Sequence, residues 1–244
     1  MSIEAEVEHG IDTRAISTKE KVLKRSREED RENVNPDLYR HVEAGSYPLK
    51  RALDLFLGFM GLVGFLAITP FIAIGIKLSS KGPILFKQPR MGKEGQSFDC
   101  FKFRTMHLLT KSSVDGKPVV TQKGDSRIFS FGQFLRKTNL DELPQLINVM
   151  KGEMSLVGPR PYTLNECTYW HQKFDDHYFR YMLKPGITGF AQAQGYRGGT
   201  LDDDLMRKRL DFDLIYVEKA SLKFDLRIIY KTVKRMVWRD TNGH

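Results

Sequence analysis

Two adjacent carboxylates, Asp141 and Glu142, are the strongest candidates for chemistry in this chain. They stand in LRKTNLDELPQLINVMKG just before Pro144. Because proline is tolerated in the first turn of a helix but not in its interior, the two acids are predicted at or near a helix N-terminus. A carboxylate can attack phosphorus when a cation withdraws charge from the phosphate, and Arg136 supplies such a cation five residues upstream. Two neighbouring acids can also hold Mg²⁺ together with phosphate oxygens.

A structural role fits the same two acids. Aspartate is a common helix cap, and glutamate in a first turn interacts favourably with the helix dipole. From this segment alone the structural interpretation is the more frequent one. The catalytic interpretation therefore depends on the other motifs.

Further cations stand in two short motifs. SLVGPRPY places Arg160 between Pro159 and Pro161, where fixed backbone angles limit the entropy that a phosphate-binding guanidinium loses. FKFRTM places Lys102 and Arg104 on one face of a predicted strand, since residues i and i+2 point the same way. A rigid loop with a structural arginine, and a solvated strand face, are the alternatives for these two motifs.

A glycine-rich stretch, KPGITGFAQAQGYRGGT, carries Lys184, Gln192, Gln194 and Arg197. Its glycine spacing is neither that of a Walker loop nor that of a dinucleotide fingerprint. We interpret the stretch as a shaped loop, which either binds a ligand or consists of turns only.

The element that must carry these motifs to a membrane is the uncharged run Leu55–Ile76, 22 residues long. As a helix it would reach roughly 33 Å, enough for a hydrocarbon core of about 30 Å. Pro70 within the run predicts a helix break or bend, and the hydroxyl of Thr69 offers a bond to a freed carbonyl.

Positive charge flanks both ends of the run, which favours a helix that enters and leaves on the same side. Lys50 and Arg51 precede it, and Lys77 and Lys81 follow it. A spanning helix normally has Lys and Arg concentrated on one side. A kinked spanning helix remains the alternative.

Residues 1–46 are predicted to be a charged, flexible tail, because they have too few large apolar residues to form a core. They carry 8 basic and 11 acidic residues, so that the whole-chain charge of +9 leaves +12 on the rest. No secretory signal pattern is seen. Cys100 and Cys167 lack the spacing of a disulfide framework or a zinc site, which indicates a reducing, cytosol-facing location.

The sequence predicts an α+β fold that is mainly helical. Residues 47–81 form the membrane helix with its flanks, and 82–244 form a cytosol-facing domain with a small β-hairpin, PILFKQPRMG and SFDCFKFRTM around a GKEGQ turn. Helices are expected at about 129–137, 141–151, 162–182 and 201–218.

The last predicted helix, SLKFDLRIIYKTVKRMVW, is amphipathic and basic. It would lie either in a membrane interface or against the core. The residues placed together on its apolar face are Leu222, Leu226, Ile229, Tyr230, Val233 and Val237.

Together these segments resemble the monotopic phosphoglycosyl transferases, the bacterial sugar transferase family that begins membrane-bound glycan assembly. The resemblance runs from about Tyr47 to Trp238 and rests on motifs in order: LKRALDL, the Thr69–Pro70 pair, FKFRTM, LRKTNLDELPQLINVMKGEMSLVGPRP, KPGITGFAQ and DFDLIYVEKASLKFDLRIIYKT. The family commonly has serine at the first position of the pair and arginine before PGITG, where this chain has Thr69 and Lys184.

The resemblance implies transfer of a sugar-1-phosphate, most simply a hexose-1-phosphate, from a UDP-sugar to polyprenyl (undecaprenyl) phosphate in exopolysaccharide, capsule or O-antigen synthesis. Asp141 would be the nucleophile that expels UMP and carries the phosphosugar, and Asp141 and Glu142 would hold Mg²⁺. Phosphate and nucleotide contacts would come from Arg136, Pro159, Arg160 and Pro161.

The resemblance also implies a re-entrant membrane helix, amphipathic interfacial helices and a catalytic domain on the cytoplasmic face of the bacterial inner membrane. The partners would be the UDP-sugar, the lipid phosphate and membrane lipids, with no nucleic acid, and homo-oligomer formation stays open. The GYRGGT segment is similar to members that use UDP-glucose or UDP-galactose. The competing functions are a glycosyltransferase that releases UDP and a non-catalytic membrane adaptor. The two acids among basic residues argue against the adaptor, because a surface that only binds anions would avoid them.

Overall fold

The structure is a computed structural model that describes residues 49–107, 113–114, 117–118, 121 and 124–238. The predicted tail at 1–46 lies outside the described residues.

Within these residues the chain forms seven α-helices and three two-stranded sheets, in agreement with a mainly helical α+β fold. The helices are α1 Leu49–Ser79, α2 Ser130–Thr138, α3 Gln145–Lys151, α4 Leu164–His171, α5 Phe190–Ala193, α6 Asp203–Lys219 and α7 Leu222–Val237. The strands are β1 Leu85–Met91, β2 Ser97–Phe103, β3 Ser113–Val114, β4 Lys117–Pro118, β5 Ser155–Val157 and β6 Gly186–Thr188. Short 3₁₀ helices lie at Lys93–Gly95, Leu140–Glu142 and Asp175–Met182.

Helix α1 contains the whole predicted apolar run and is, among the described helices, the one long and apolar enough to cross a membrane. The helix continues through Pro70 instead of breaking there. The Thr69 hydroxyl donates to the carbonyl of Phe65 at 2.7 Å, whereas proline leaves the carbonyl of Leu66 without its N–H partner. The hydroxyl therefore bonds the neighbour of the freed carbonyl.

The first turns of α1 are anchored to the rest of the domain by buried polar contacts. Asp54, 4% exposed, accepts hydrogen bonds from the Ser155 hydroxyl and the Leu156 N–H, each at 2.9 Å. Lys50 donates to Asp225, Val157 and Tyr216, and Arg51 donates to the carbonyls of Val149 and Met150. The acidic and basic residues of LKRALDL thus fasten the helix to β5, α3, α6 and α7.

The far end of α1 packs on the same domain. Phe65 lies 5.7 Å from Phe103, ring to ring, and Gly75 lets Phe131 approach so closely that a Cβ would stand 2.4 Å from its ring. Just beyond the helix, Ser80 accepts two hydrogen bonds from Arg104. One domain therefore contacts α1 from its first turn to its end, while the opposite face exposes Phe56, Phe59, Met60, Val63, Leu66, Phe71, Ile74 and Leu78.

The predicted β-hairpin is confirmed. Strands β1 and β2 pair antiparallel, with Leu85 opposite Phe103 and Met91 opposite Ser97. The turn places Glu94 and Gly95 at φ 57° and 69°, in the left-handed region. Lys102 is the last residue but one of β2.

The predicted helix at 162–182 is wrong as one element. Helix α4 begins with a capping box between Thr163 and Glu166 and ends at His171, Phe174 is extended, and the 3₁₀ helix follows. That 3₁₀ helix buries His177, Tyr178, Arg180, Tyr181 and Met182. Because its side chains are buried on several sides, a one-sided helical pattern cannot describe it.

Helix α7 is rotated relative to its predicted apolar face. Asp225 and Ile228 face the domain, whereas Leu226, Tyr230 and Val233 are exposed. The cause is Asp225, which bonds Lys50 at 2.6 Å and the Tyr216 hydroxyl at 2.8 Å and so turns a charged residue inward.

We expect Asp54→Ala to lower the free energy of unfolding by about 1 to 3 kcal/mol, because the buried Ser155 hydroxyl and the partly buried Leu156 N–H lose their acceptor. Thermal unfolding of the detergent-purified protein measures this. The control is Asp204→Ala, which removes an exposed carboxylate in the first turn of α6. Equal midpoints for the two variants would contradict the anchoring role of Asp54.

Candidate active site

The dyad lies in a short turn between two helices. Helix α2 ends at Thr138, and Asn139 follows in the left-handed conformation at φ 58°. The 3₁₀ helix Leu140–Glu142 then carries both acids, and Pro144 precedes α3. The prediction that the acids lie close to a helix N-terminus is confirmed. Asp141 is 8% exposed, so this turn buries a carboxylate.

Glu142 is paired with cations from two other parts of the chain. Lys102 donates to its carboxylate at 2.6 Å, and Arg160 approaches to 3.7 Å. Although burial opposes ionisation, the charges of Lys102 and Arg160 hold the pKa of Glu142 well below its usual range. Glu142 is therefore the ion-paired member of the dyad.

Asp141 has a different environment. Among the described residues, none donates a hydrogen bond to its carboxylate. Burial first, and the negative charge of Glu142 second, raise the pKa of Asp141 to about 6, against the opposing charges of Lys102, Arg136 and Arg160. A buried carboxylate without hydrogen-bond donors has its oxygen lone pairs available for a ligand.

Arg136 reaches the dyad from α2. Its Nε donates to the Thr105 hydroxyl at 2.8 Å, which orients the guanidinium. Burial lowers the pKa of Arg136, and the charges of Asp141, Asp125 and Glu142 oppose that shift. The structure thus brings Arg136 into the electrostatic field of both acids.

The loop that presents Arg160 is held by its backbone. Three consecutive carbonyls each accept a hydrogen bond: Pro159 from the Gly186 N–H, Arg160 from Arg180 and Pro161 from Arg90. Arg180 is itself paired with Asp213 at 2.5 Å, fully buried. The Arg160 side chain is therefore directed toward Glu142 from a fixed backbone.

Arg104 was predicted to bind substrate, but its side chain contacts the segment after α1 and not the dyad. It lies just after β2, is 3% exposed, and donates to Pro83, Ser80 and the Met106 carbonyl. Its guanidinium also lies over the Phe129 ring. These contacts fasten the segment after α1. The period-two rule paired Arg104 with Lys102, but the strand ends at Phe103.

Arg90 and Arg180, which fix the Arg160 loop, were missed from the sequence. Arg90 lies in a strand that alternates like any hairpin strand, and Arg180 lies in the misassigned helix. Neither has a local signal, because their acceptors lie 71 and 20 residues away.

The donor set of the dyad fits Mg²⁺. No group of three His, Cys, Asp or Glu side chains converges anywhere in the described part of the chain. Magnesium commonly uses one or two carboxylates together with phosphate oxygens and water. Asp141, to which none of the described residues donates a hydrogen bond, and Glu142 beside it match that requirement.

The chain matches the family model described as bacterial sugar transferase over residues 45–239. It is 41% identical over 192 residues to the UDP-glucose:undecaprenyl-phosphate glucose-1-phosphate transferase of Xanthomonas campestris pv. campestris, covering 79% of this chain and 39% of that protein. The Escherichia coli protein of the same name is 42% identical, over 76% of this chain and 39% of its own length. The Caulobacter vibrioides protein of that name is 41% identical, over 78% of this chain and 70% of its own. The match thus spans about two fifths of the first two relatives.

The raised pKa of Asp141 predicts a pH-dependent stability. The pKa of Asp141 in the folded state, about 6, exceeds its ordinary value of 3.8, so ionisation of this carboxyl destabilises the fold. This loss of stability is complete above pH 6 and absent below about pH 4. Without Mg²⁺ or nucleotide, Asp141→Asn should therefore be more stable than wild type at pH 8 by about 1 to 3 kcal/mol. The difference should shrink as the pH falls to 4. Urea unfolding at several pH values measures it.

In the folded state the neighbours of Asp141 whose pKa is shifted keep their charge across this window. Glu142 stays ionised because its pKa is lowered, and Arg136 and Arg160 stay protonated. Asp204→Asn, at an exposed site, is the control. If Asp141→Asn is no more stable than wild type at pH 8, the environment assigned to Asp141 is contradicted.

Proposed function

We propose, from the premise that this chain belongs to the bacterial sugar transferase family, that it transfers a sugar-1-phosphate from a UDP-sugar to polyprenyl phosphate. The family membership supports the reaction class. The observation that carries the assignment to particular residues is the unequal environment of the dyad: Glu142 is paired with cations, while Asp141 has no hydrogen-bond donor among the described residues.

The reaction proceeds in two displacements at one phosphorus. A carboxylate oxygen of Asp141 bonds to the sugar-bearing phosphorus, and the bond from that phosphorus to the bridging oxygen breaks, so that UMP leaves with the electron pair. An oxygen of the lipid phosphate then attacks the same phosphorus, and the Asp141 carboxylate is released. A covalent intermediate lets the nucleotide and the lipid occupy the site in turn.

Asp141 is better suited than Glu142 to be the nucleophile. An ion-paired carboxylate would have to give up a 2.6 Å contact with Lys102 before attack. Asp141 has no such contact to lose with any residue that the structure describes. Its pKa of about 6 leaves it mostly ionised at neutral pH yet more basic than an ordinary aspartate.

The cations of the site reduce the repulsion between an anionic donor and the two carboxylates. Arg136 and Arg160 are proposed to bind phosphate oxygens, because each lies in the field of the dyad and carries a planar fork suited to phosphate. Lys102 neutralises Glu142. Mg²⁺, held by Asp141 and Glu142, would withdraw charge from the phosphate when bound.

We propose that α1 is re-entrant and that the domain lies on the cytoplasmic face of the inner membrane. A helix of 31 residues is about 46 Å long. Contacts with one domain at both Lys50 and Ser80 are hard to combine with a bilayer crossing, which would put the two ends on opposite sides. The exposed apolar side of α1 would face lipid.

The exposed side of α7 supports the same orientation. Leu226, Tyr230 and Val233 are exposed together with Arg227 and Lys234. Apolar and basic side chains on one exposed surface are typical of a helix at an anionic membrane interface. We therefore include α7 in the membrane-facing surface.

UDP-glucose is the donor to test first, because the three relatives are named glucose-1-phosphate transferases. With UDP-glucose, undecaprenyl phosphate and Mg²⁺, the purified protein should release UMP. Asp141→Asn should lose at least about a thousandfold in rate, as expected when a nucleophile is removed. Nucleotide chromatography measures it, with Asp204→Asn as the control and a chelator arm that should stop release.

Two outcomes would contradict this proposal. Release of UDP instead of UMP would indicate glycosyl transfer. Full turnover by Asp141→Asn would remove that residue from the chemistry.

The topology is tested by labelling engineered cysteines at the two ends of α1. Leu49→Cys and Lys81→Cys replace exposed residues, and the native Cys100 and Cys167 are buried. A membrane-impermeant maleimide should label both sites in inside-out vesicles and neither in intact spheroplasts. Labelling of the two sites from opposite faces would show a crossing helix.

A further inference from the structure

Arg197 lies in the glycine-rich loop between α5 and α6 and reaches the turn of the dyad. Its guanidinium contacts the Asn139 side-chain oxygen at 3.5 Å, and Asn139 directly precedes the 3₁₀ helix that carries Asp141. Among the described residues this is the one hydrogen bond of its side chain, and it is long for such a bond. Most of its five N–H donors are therefore available.

The electrostatic surroundings of Arg197 also connect it to Glu142 of the dyad. Burial lowers its pKa, the charge of Glu142 opposes that shift, and the charges of Arg160 and Arg235 add to it. Arg197 thus lies in the combined field of the Arg160 loop and of helix α7. It extends the cationic side of the site toward the helix that we place at the membrane.

The loop around Arg197 is held rigidly despite its glycines. Arg209, which is 4% exposed on α6, donates to the carbonyl of Arg197 at 2.6 Å and to that of Gly198 at 2.8 Å. Gly195 and Gly198 adopt φ 103° and 80°, where side chains are disfavoured. A buried charge used to hold two successive carbonyls fixes where the Arg197 side chain starts.

This arrangement differs from that of Arg104, a structural arginine in the same domain. Arg104 uses its Nε and both terminal nitrogens on the Pro83 and Ser80 carbonyls and the Ser80 hydroxyl. Arg197 is held through its backbone, while its guanidinium has one weak hydrogen bond within the described part of the chain. A planar cation presented in this way beside the turn that carries the dyad is suited to a phosphate oxyanion.

We propose that Arg197 binds a phosphate group of a substrate during the transfer, an inference that rests on the proposed function. Both substrates carry phosphate: the diphosphate of the UDP-sugar and the monophosphate of the lipid. The loop, through Arg209, positions the guanidinium.

The test separates the two half-reactions in the full-length, detergent-purified protein with Mg²⁺. In the donor arm, UDP-glucose alone is added and the rate and concentration dependence of UMP formation are measured in a single turnover. In the acceptor arm, donor-treated protein freed of nucleotide is mixed with undecaprenyl phosphate, and formation of the lipid-linked sugar is followed.

The variants are Arg197→Gln and Arg197→Lys. Lys208→Gln, which removes an exposed charge of α6, is the matched control. Arg197→Gln should slow one arm by about 10- to 100-fold, the range for a charge-assisted hydrogen bond, and Arg197→Lys should fall between it and wild type. Loss in the donor arm assigns the diphosphate, and loss confined to the acceptor arm assigns the lipid phosphate. Lys208→Gln should match wild type.

Folding is followed by the thermal midpoint of each variant. If Arg197→Gln is destabilised, Arg197→Lys, which keeps the charge and most of the side-chain length, decides the matter in the same two arms. Folded variants with wild-type rates in both arms would overturn the role of Arg197 while wild-type turnover upholds the proposed function. A wild-type protein without turnover would overturn both.

Discussion

The ion pair between Lys102 and Glu142 determines how charge is distributed in the dyad. Two carboxylates on adjacent residues of a buried turn repel each other, and a limited set of cations cannot neutralise both equally. At 2.6 Å, Lys102 favours Glu142, and Arg160 adds to that preference. The pKa of Asp141 consequently rises to about 6, and no described residue donates a hydrogen bond to its carboxylate. The dyad therefore has one ion-paired member and one that is open to a ligand.

The rest of the fold holds the cations in place. The hairpin supplies Lys102, α2 supplies Arg136, and the loop after β5 supplies Arg160. Strand β5 connects this site to the membrane helix, because Asp54 of α1 bonds Ser155 and Leu156 at the start of the strand that leads into the Arg160 loop. The position of the apolar helix and the position of the Arg160 loop thus depend on the same three-residue strand.

Local sequence signals predicted the elements whose causes are local. The hairpin followed from alternation and a glycine turn, and α1 from a charge-free run. The position of the two acids close to a helix start followed from Pro144, and the end of that helix followed from Gly152. Asp141, Glu142, Lys102, Arg136 and Arg160 are brought together as the motifs suggested.

What the sequence did not reveal depends on distant partners. Helix α7 is turned by the pairing of Asp225 with Lys50, 175 residues away, which no window of residues contains. Arg104 shares a motif with Lys102 but bonds Ser80 and Pro83 because the strand ends before it. The role of Arg90 and Arg180 in the Arg160 loop likewise requires the folded chain.

The central claim, that the open carboxylate of the dyad becomes bonded to phosphorus, is tested most directly by locating the adduct. Protein treated with UDP-glucose and Mg²⁺ alone is quenched and digested briefly with trypsin. The peptides are then sequenced by tandem mass spectrometry. The account predicts one sugar phosphate on the peptide spanning residues 138–151, with the mass on Asp141. An adduct on Glu142 or in another peptide, or turnover without any adduct, would contradict it.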